Sequence, residues 1–320
     1  MKRFVTLAII LSLGAFLIFI AGCDSDPESS GLQEGSLDDP NYELVDDIFG
    51  EGFVGFNSQM LGLSMALADS IPGQQGPAKL FASSAEGECP FAEIEFSYTW
   101  DNVNYWHIFN VAAYAEEEIG DGSTNTYSYE GIDSIRFENV SGPMQYPDET
   151  TTNMKIRWHF GTLVTADTDE IEVTNDASLD LTGEYEGDFT VNGSSTDSLD
   201  VSVGESQSTC IIAISSVQSF TDVEMDEAAR FGADCPASGR MDIDATIAIE
   251  CEGTGGEGEF EELSITGDWD ISYVFDSTGE ARQVTITFID GTTRWVNTVD
   301  CEESELDPVR VAKALRNAVK

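Results

Sequence analysis

The chain has 320 residues, with 60 Asp or Glu against 14 Lys or Arg, so its formal net charge at pH 7 is −46. A surface this acidic repels nucleic acids, which argues against DNA or RNA as partners, and it attracts cations and basic partners. Hydrophobic residues make up 41% of the chain and aromatic residues 10%, which excludes a disordered acidic chain and allows a sizeable folded core.

The chain begins with a segment typical of protein export. Two cations at positions 2 and 3 precede an apolar stretch over 4–20, and the sequence Ile20-Ala21-Gly22-Cys23 then places small residues directly before a cysteine. This segment resembles the signal peptide and lipobox of bacterial lipoproteins. An uncleaved transmembrane anchor fits less well, since the apolar run over 6–20 is shorter than the roughly 20 residues that a span needs.

The lipoprotein resemblance implies a location for the mature chain. It implies removal of residues 1–22, lipid attachment to the sulfur of Cys23 with acylation such as palmitate, and anchoring to the inner or outer membrane of a bacterial cell envelope. The folded part would face the periplasm or the cell surface. Residues 23–39 are polar, acidic and rich in helix-breaking residues, which predicts a flexible tether. The sequence leaves open which membrane holds the anchor and whether the protein forms oligomers.

Residues 40–72 form a predicted helical segment. Apolar residues recur at spacings of three and four between Val45 and Leu67, and prolines at positions 40 and 72 suit a helix start and a helix stop. Glycines at positions 50, 52 and 55 weaken the first half. The pattern therefore predicts either one broken helix or two short ones.

Residues 89–304 alternate between apolar and polar side chains with a period of two. The alternation is clearest over 92–100, 154–160, 179–191, 241–250 and 263–276. This pattern predicts half-buried antiparallel strands. The pair Asp290-Gly291 is a hairpin signal, and the last third of the chain predicts a meander over 239–251, 261–276, 281–290 and 293–301.

The predicted fold class is mainly β, with long antiparallel strands in a curled sheet, an open barrel or a sandwich. An acidic-Cys-Pro sequence at 88–90 recurs at 234–236, so two halves with a break near 225–235 are an alternative to one domain. The N-terminal helical segment would cover part of the apolar face. A short C-terminal helix is predicted over 305–320, and its cations favour docking onto the chain's own acidic surface over binding an anionic partner.

Beyond the lipobox the chain has five cysteines, so at most two disulfides form and one thiol is left over. Cys235 and Cys251 bracket one predicted strand and would lie too far apart to bond each other. Strand directions in the predicted meander favour two other pairs, Cys235–Cys301 and Cys210–Cys251, with Cys89 free. An exported protein can form such bridges because its compartment is oxidising.

Four aspartates form the best candidate for a charged site. They lie on the predicted polar face of two neighbouring strands, at Asp242, Asp244, Asp268 and Asp270. Like charges at this spacing repel unless a cation compensates, so a Ca²⁺ site is one hypothesis. A solvated acidic face without a bound ion is the favoured alternative. No other cofactor is predicted.

The chain has two histidines, and each follows a tryptophan, at Trp106-His107 and Trp158-His159. Two imidazoles on neighbouring strands could hold a metal, but the spacing matches no ligand motif, and roles in packing or at the surface are favoured. No motif for a nucleotide phosphate or a serine nucleophile is present.

Three functions are compatible with this sequence. The favoured one is a membrane-anchored envelope protein with a non-enzymatic binding or structural role, whose partners would be cations, a small apolar ligand or another envelope protein. The second is a hydrolase that acts on polysaccharide through paired carboxylates. The third is a calcium-stabilised adhesion module. A closed apolar cavity would favour a carrier of apolar ligands, and a filled core with calcium-dependent melting would favour the adhesion module.

Overall fold

The fold is given by a computed structural model of the chain. The structure describes residues 32–37, 39, 42, 45, 46, 49, 61, 64, 65, 67, 68, 71, 93–118, 124–166, 169–183, 187–205, 208–226, 236–252, 263–278 and 281–300. The predicted leader with Cys23, the C-terminal helix, and Cys89, Cys235 and Cys301 lie outside these residues.

The described part of the chain forms one sheet of 13 strands. The strands are β1 Gln33–Glu34, β2 Glu93–Asp101, β3 Trp106–Glu118, β4 Thr124–Asn139, β5 Gly142–Met144, β6 Asn153–Ala166, β7 Asp169–Gly183, β8 Phe189–Glu205, β9 Ser208–Met225, β10 Ser238–Glu252, β11 Leu263–Thr278, β12 Ala281–Ile289 and β13 Thr293–Asp300. Their order is β1-β13-β12-β11-β10-β9-β8-β7-β6-β4-β3-β2, and β5 pairs with β4. The sheet is not closed into a barrel.

This topology confirms the predicted mainly β, antiparallel fold. Each strand from β2 to β13 pairs antiparallel with its neighbours, while β1 pairs parallel with β13. The meander predicted for the last third is confirmed within two residues at each strand end. The sheet also runs without interruption from β9 to β10, across the position near 225–235 where two halves could have separated.

Alternation gives the sheet two faces of different character. We call the face that carries the buried apolar side chains the inner face, and the opposite face the outer face. On β10, for example, Met241, Ile243 and Ile247 are fully buried, while Asp244 and Thr246 between them are exposed. The inner face therefore supplies the core, and the outer face supplies most of the charge.

Residues from the predicted helical segment cover the inner face. Tyr42, Val45, Leu61, Met65 and Leu67 have helical conformation, are buried, and belong to the same hydrophobic cluster as inner-face residues of β3 to β13. These residues lie within the predicted helical segment over 40–72. Because they pack along the sheet, the core lies between this segment and the strands.

Two contacts show how far this covering reaches across the sheet. The Tyr42 ring packs edge-on against Phe288 of β12 and stacks on Trp295 of β13, with centroid distances of 5.2 and 6.2 Å. Ser64 donates a hydrogen bond to Asp133 on β4, with 2.5 Å between the oxygens. The segment therefore contacts strands near both ends of the sheet.

A bulge in β9 keeps the inner face continuous. On this strand the buried positions are even-numbered as far as Gln218 and then change to the odd-numbered Val223. The registers with β8 and β10 both shift at this point, and Asp222 has a positive φ of 49°. The extra residue restores the burial pattern, as β-bulges commonly do.

Candidate functional site

The described residues present two polar sites, one on each face of the sheet. The first is a row of buried polar side chains across the inner face of β7, β8 and β9, and we call it the polar row: Asn175, Ser195, Asp197, Ser216 and Gln218. Register explains the row, because Asn175 lies opposite Asp197, and Asp197 lies opposite Ser216. Polar residues thus occupy inner positions on three successive strands.

Hydrogen bonds join the polar row around one carboxylate. Trp158 Nε1 donates to Asn175 Oδ1, and Asn175 Nδ2 donates to Asp197 Oδ1. Gln218 Nε2 donates to Asp197 Oδ2 at 2.8 Å, and Ser216 Oγ donates to the same oxygen at 3.4 Å. Asp197 is only 4% exposed, so neutral donors compensate this carboxylate for the loss of water.

A second buried carboxylate lies on β4 in a poorer setting. Asp133 accepts the bond from Ser64, but its other oxygen, Oδ1, has no hydrogen-bond partner among the described residues. Burial raises the pKa of Asp133 to about 7, against smaller lowering effects from its hydrogen bonds to Ser64 and to the Ser134 backbone. The nearby Tyr129 hydroxyl, itself largely buried, has its pKa raised to about 12. Asp133 therefore changes charge near neutral pH.

The second polar site is a groove of about 310 Å³ on the outer face of β10 to β13, which we call the outer groove. Register places three rows across it. Read from β10 to β13, the first row is Asp244, Asp270, Ile289 and Arg294. The second row is Asp242, Ser272, Thr287 and Val296. The third row lines the groove only from β10 to β12, with Arg240, Val274 and Thr285. The groove thus combines both signs of charge with hydroxyl and aliphatic groups.

Three of the four aspartates predicted as a site line this groove. Asp244 and Asp270 are exposed and lie directly opposite each other. Asp242 accepts two bonds from Arg240 Nε, at 2.8 and 2.7 Å, and this pairing raises the pKa of Arg240. Asp268 lies outside the groove and accepts a bond from Thr246 at 2.9 Å.

The structure lends the calcium hypothesis no support. Within the described ranges, no group of three or more His, Cys, Asp or Glu side chains is arranged to hold a metal ion. Asp242 instead has an arginine as its counter-ion, and Asp268 bonds a hydroxyl. The favoured alternative, a solvated acidic face, fits the exposure of Asp244, Asp268 and Asp270.

The two histidines lie on opposite faces and do not meet. His107 is fully buried on β3, where Tyr98 OH lies 2.9 Å from Nδ1 and the Gln145 carbonyl oxygen lies 2.6 Å from Nε2. A carbonyl only accepts, so Nε2 carries the proton and Nδ1 accepts from Tyr98. His159 on β6 pairs with Asp176 at 2.8 Å on the exposed outer face. Their roles are packing and surface pairing.

The register also places two cysteines opposite each other. Cys210 on β9 and Cys251 on β10 are direct partners in the antiparallel ladder. Directly opposite residues have Cα atoms about 4.5 to 5.5 Å apart, which is the range a disulfide needs. The backbone arrangement thus suits the predicted Cys210–Cys251 pair.

No family model, no curated protein and no solved structure matches this chain. Among the described residues, no helix combines the length and the apolar character that crossing a membrane requires.

Sequence reasoning found the outer aspartates but missed the polar row. The outer aspartates occupy the polar positions of clearly alternating strands, so their common face was predictable. The polar row occupies inner positions, where Ser195 and Asp197 interrupt the apolar series of β8. The available signal was Val191, Leu199, Val201 and Val203, which continue the same odd-numbered positions on either side of this interruption.

Proposed function

We propose that this protein is a lipid-anchored protein of the bacterial cell envelope with a non-enzymatic binding role. The anchor rests on the lipobox resemblance that ends at Cys23. The binding role is carried by one observation, the outer groove, which offers polar groups of both signs on the solvent side of a continuous sheet. The covering of the inner face by the N-terminal residues favours this outer surface over an internal apolar cavity as the place where a ligand binds.

The groove favours a ligand that bears an amine. Asp244 and Asp270 face each other, and two carboxylates directly opposite on paired strands repel. An ammonium group between them would relieve that repulsion and form charge-assisted hydrogen bonds. The hydroxyls of Ser272 and Thr287 in the adjoining row can bond sugar hydroxyls. An amino sugar or a basic side chain of another envelope protein therefore suits the site.

A melting experiment with defined amino sugars tests the groove. We expect the glucosamine trimer to raise the melting temperature of the mature chain, and its triacetylated form, which lacks the cationic amines, to have no effect. The Asp244→Asn/Asp270→Asn variant should lose the effect. Asp200→Asn, on the exposed outer face of β8, is the control and should keep it. An equal loss in Asp200→Asn, or no effect in the unaltered chain, would contradict binding in the groove.

The lipid anchor has its own test. Cells that express the full chain and receive an alkyne-labelled palmitate should incorporate the label into this protein, and Cys23→Ser should abolish incorporation. A label that persists in Cys23→Ser, or none in the unaltered chain, would contradict the anchor. Either result leaves the amino-sugar experiment interpretable, because the groove lies in the folded part.

A polysaccharide hydrolase is the second candidate, and the facing pair Asp244 and Asp270 is the observation that favours it. Directly opposite residues have Cβ atoms about 4.5 to 5.5 Å apart, and retaining glycosidases hold their two carboxyl groups at a similar separation. Such an enzyme also needs one carboxyl group in an apolar pocket, and both of these are exposed. This alternative would be established if the unaltered chain releases reducing sugar from a polysaccharide and the single variants Asp244→Asn and Asp270→Asn do not.

The predicted disulfides belong to the same proposal, since an exported chain folds in an oxidising compartment. The Cys210–Cys251 bridge is supported by the register of β9 and β10. Peptide mapping of the oxidised chain should recover residues 210 and 251 in one linked peptide. The Cys235–Cys301 bridge involves two cysteines outside the described residues, and the same map tests it.

A further inference from the structure

One corner of the sheet exposes aromatic and aliphatic side chains together. It lies at the end where β2 turns into β3 and β4 turns into β5, and we call it the corner surface: Tyr98, Val103, Tyr105, Val140 and Tyr146. Val103 is 78% exposed and Val140 is 95% exposed, both within turns. Register confirms that the two turns share one end, because His107 near the start of β3 pairs with Ile135 near the end of β4. Turn tips are ordinarily polar, so two valines there need an explanation.

Both turns are held by side chains. Asp101 Oδ1 accepts bonds from the backbone N–H groups of Val103 and Asn104, at 2.9 and 3.2 Å. Asn139 Oδ1 accepts a bond from the Ser141 N–H at 2.8 Å. In the first turn the exposed Val103 itself donates one of these bonds. In the second turn the exposed Val140 directly precedes the bonded Ser141. The two valines are thus presented on fixed backbones.

Aromatic rings pack behind the tips of the two turns. Trp100 packs edge-on against Tyr105 at a centroid distance of 5.9 Å, and it lies 4.4 Å from the His107 ring. The Tyr98 and Tyr146 rings flank His107 at 6.0 and 6.2 Å. Burial lowers the pKa of His107, against the smaller raising effect of its bond to the Gln145 carbonyl. The centre of the corner is therefore neutral at pH 7.

Cations gather on the outer face of the same corner. Arg136 and Arg157 place their guanidinium carbons 5.2 and 4.8 Å from the centre of the Trp106 ring. Lys155 lies directly opposite Arg136 in the ladder. Glu138 pairs with Arg136 and lies 3.8 Å from the Lys155 ammonium, and Asp180 lies 3.4 Å from the same ammonium. In the described part of the chain no carboxylate pairs with Arg157. In a protein of net charge −46, this is an unusual concentration of positive groups.

Two carboxylates at the corner are directed into their own turns. Asp101 also accepts a bond from the Asn104 side-chain amide at 2.8 Å, and this bond, together with the backbone bonds described above, lowers its pKa. Asp148 accepts bonds from the Thr150 hydroxyl and backbone, which also lower its pKa. Glu149 is exposed. The corner therefore carries some negative charge, but its tips are aliphatic and aromatic.

We propose that the corner surface inserts into the headgroup region of the bilayer that holds the lipid anchor. Exposed valines, tyrosines with an apolar body and a polar hydroxyl, and arginines on a tryptophan are the groups that favour a membrane–water interface. Arg136, Lys155 and Arg157 would bond lipid phosphates, while Val103 and Val140 would enter the acyl boundary. This inference rests on the proposed envelope location, and it assigns the folded part a second, shallow contact with the membrane.

The overall acidity of the chain gives this inference an unusual salt dependence. Distant acidic residues repel an anionic membrane over about 30 Å at 0.01 M salt, but over only about 8 Å at 0.15 M. Contacts made by the corner itself act at shorter range. Vesicle binding should therefore stay constant or increase as salt rises to 150 mM, whereas binding by a simple basic patch weakens.

The experiment uses the mature polypeptide, residues 23–320, made without the leader and therefore without its lipid. Its partitioning is measured by flotation with vesicles of 80% phosphatidylcholine and 20% phosphatidylglycerol at 150 mM salt. Val103→Asp/Val140→Asp should lower partitioning at least tenfold, because each valine would otherwise bury most of its side chain. The matched control is Ile211→Asp/Val217→Asp, two exposed residues of β9, and it should change partitioning less than twofold. Circular dichroism confirms that both double variants fold.

One further double variant separates the sources of binding. Lys155→Gln/Arg157→Gln should weaken binding to the mixed vesicles more than to pure phosphatidylcholine, since the cations contact the anionic lipid. The inference is overturned if the unaltered polypeptide does not float with the vesicles, or if the β9 control loses as much binding as the corner variant. If palmitate labels Cys23 while the polypeptide fails to float, the anchor stands and only the corner contact is wrong.

Discussion

Asp197 on β8 and Asp244 on β10 are both aspartates within long strands, yet their surroundings differ completely. Asp197 points into the core and accepts bonds from Asn175, Ser216 and Gln218. Asp244 points to solvent and faces another carboxylate, Asp270. The side of the strand on which each residue falls decides this difference, because successive side chains alternate between the faces.

The comparison teaches what a carboxylate needs on each face. An inner carboxylate must have its partners built in, because no water reaches it. An outer carboxylate is solvated and tolerates a like charge opposite it at a cost of a few tenths of a kcal/mol. We therefore expect substitutions of inner aspartates to change folding stability, and substitutions of outer aspartates to change ligand binding.

The largest effect is expected from the pH dependence of Asp133. Its pKa rises from 3.8 to about 7 on folding, so the folded state holds this proton more tightly than the unfolded state. The resulting stability is complete below pH 3.8 and is lost as pH rises through about 7, a difference of about 4 kcal/mol. Asp133→Asn should remove this loss, as urea unfolding at pH 4 and pH 8 would show. Asp244→Asn is the control, and an unchanged pH dependence in Asp133→Asn would contradict the assignment.

The next effect tests the polar row. Asp197→Ala leaves buried donors of Asn175 and Gln218 without an acceptor, so we expect a loss of about 3 kcal/mol in the free energy of unfolding. Asp200→Ala, an outer-face residue of the same strand, should change it by no more than about 0.5 kcal/mol. Equal losses in the two variants would show that the face of the strand does not matter.

Substitution of a glycine on β8, opposite the β9 bulge, should have a smaller effect on stability. Gly193 has φ +141°, and a Cβ built there would lie 2.2 Å from the Ser178 carbonyl oxygen. Gly193→Ala should therefore cost about 2 kcal/mol. At Gly161 on β6 the nearest atom to such a Cβ is 3.9 Å away, so Gly161→Ala should leave stability unchanged or raise it by less than about 1 kcal/mol. Thermal unfolding of both variants checks this ranking.

The smallest effect is expected in the outer groove. Asp244→Asn removes one of two facing like charges, so it should raise the free energy of unfolding by about 0.5 kcal/mol at low salt. The gain should disappear in 1 M salt, because the repulsion is then screened within about 3 Å. A loss of stability on this substitution would mean that Asp244 has a partner in the folded state.

The sequence failed where local pattern and tertiary position disagree. Alternation continues from Leu179 to Val191, and it suggested one strand, but the chain turns between β7 and β8. The strand β8 itself was hidden, because Ser195 and Asp197 occupy positions that a buried strand ordinarily gives to apolar residues. A polar residue on an inner face is acceptable only when neighbouring strands supply its partners, and one strand's sequence does not contain that information.

By itself the sequence determined the class of fold and the hairpin order of the last four strands. The reason is that the period of two and the Asp290-Gly291 turn are local, so they act without knowledge of distant residues. Only the tertiary structure decided the continuous 13-stranded order, the carboxylate network around Asp197 and the corner that combines Val103 with Val140. Each of these depends on register between strands far apart in the chain, and register is set by packing of the whole inner face.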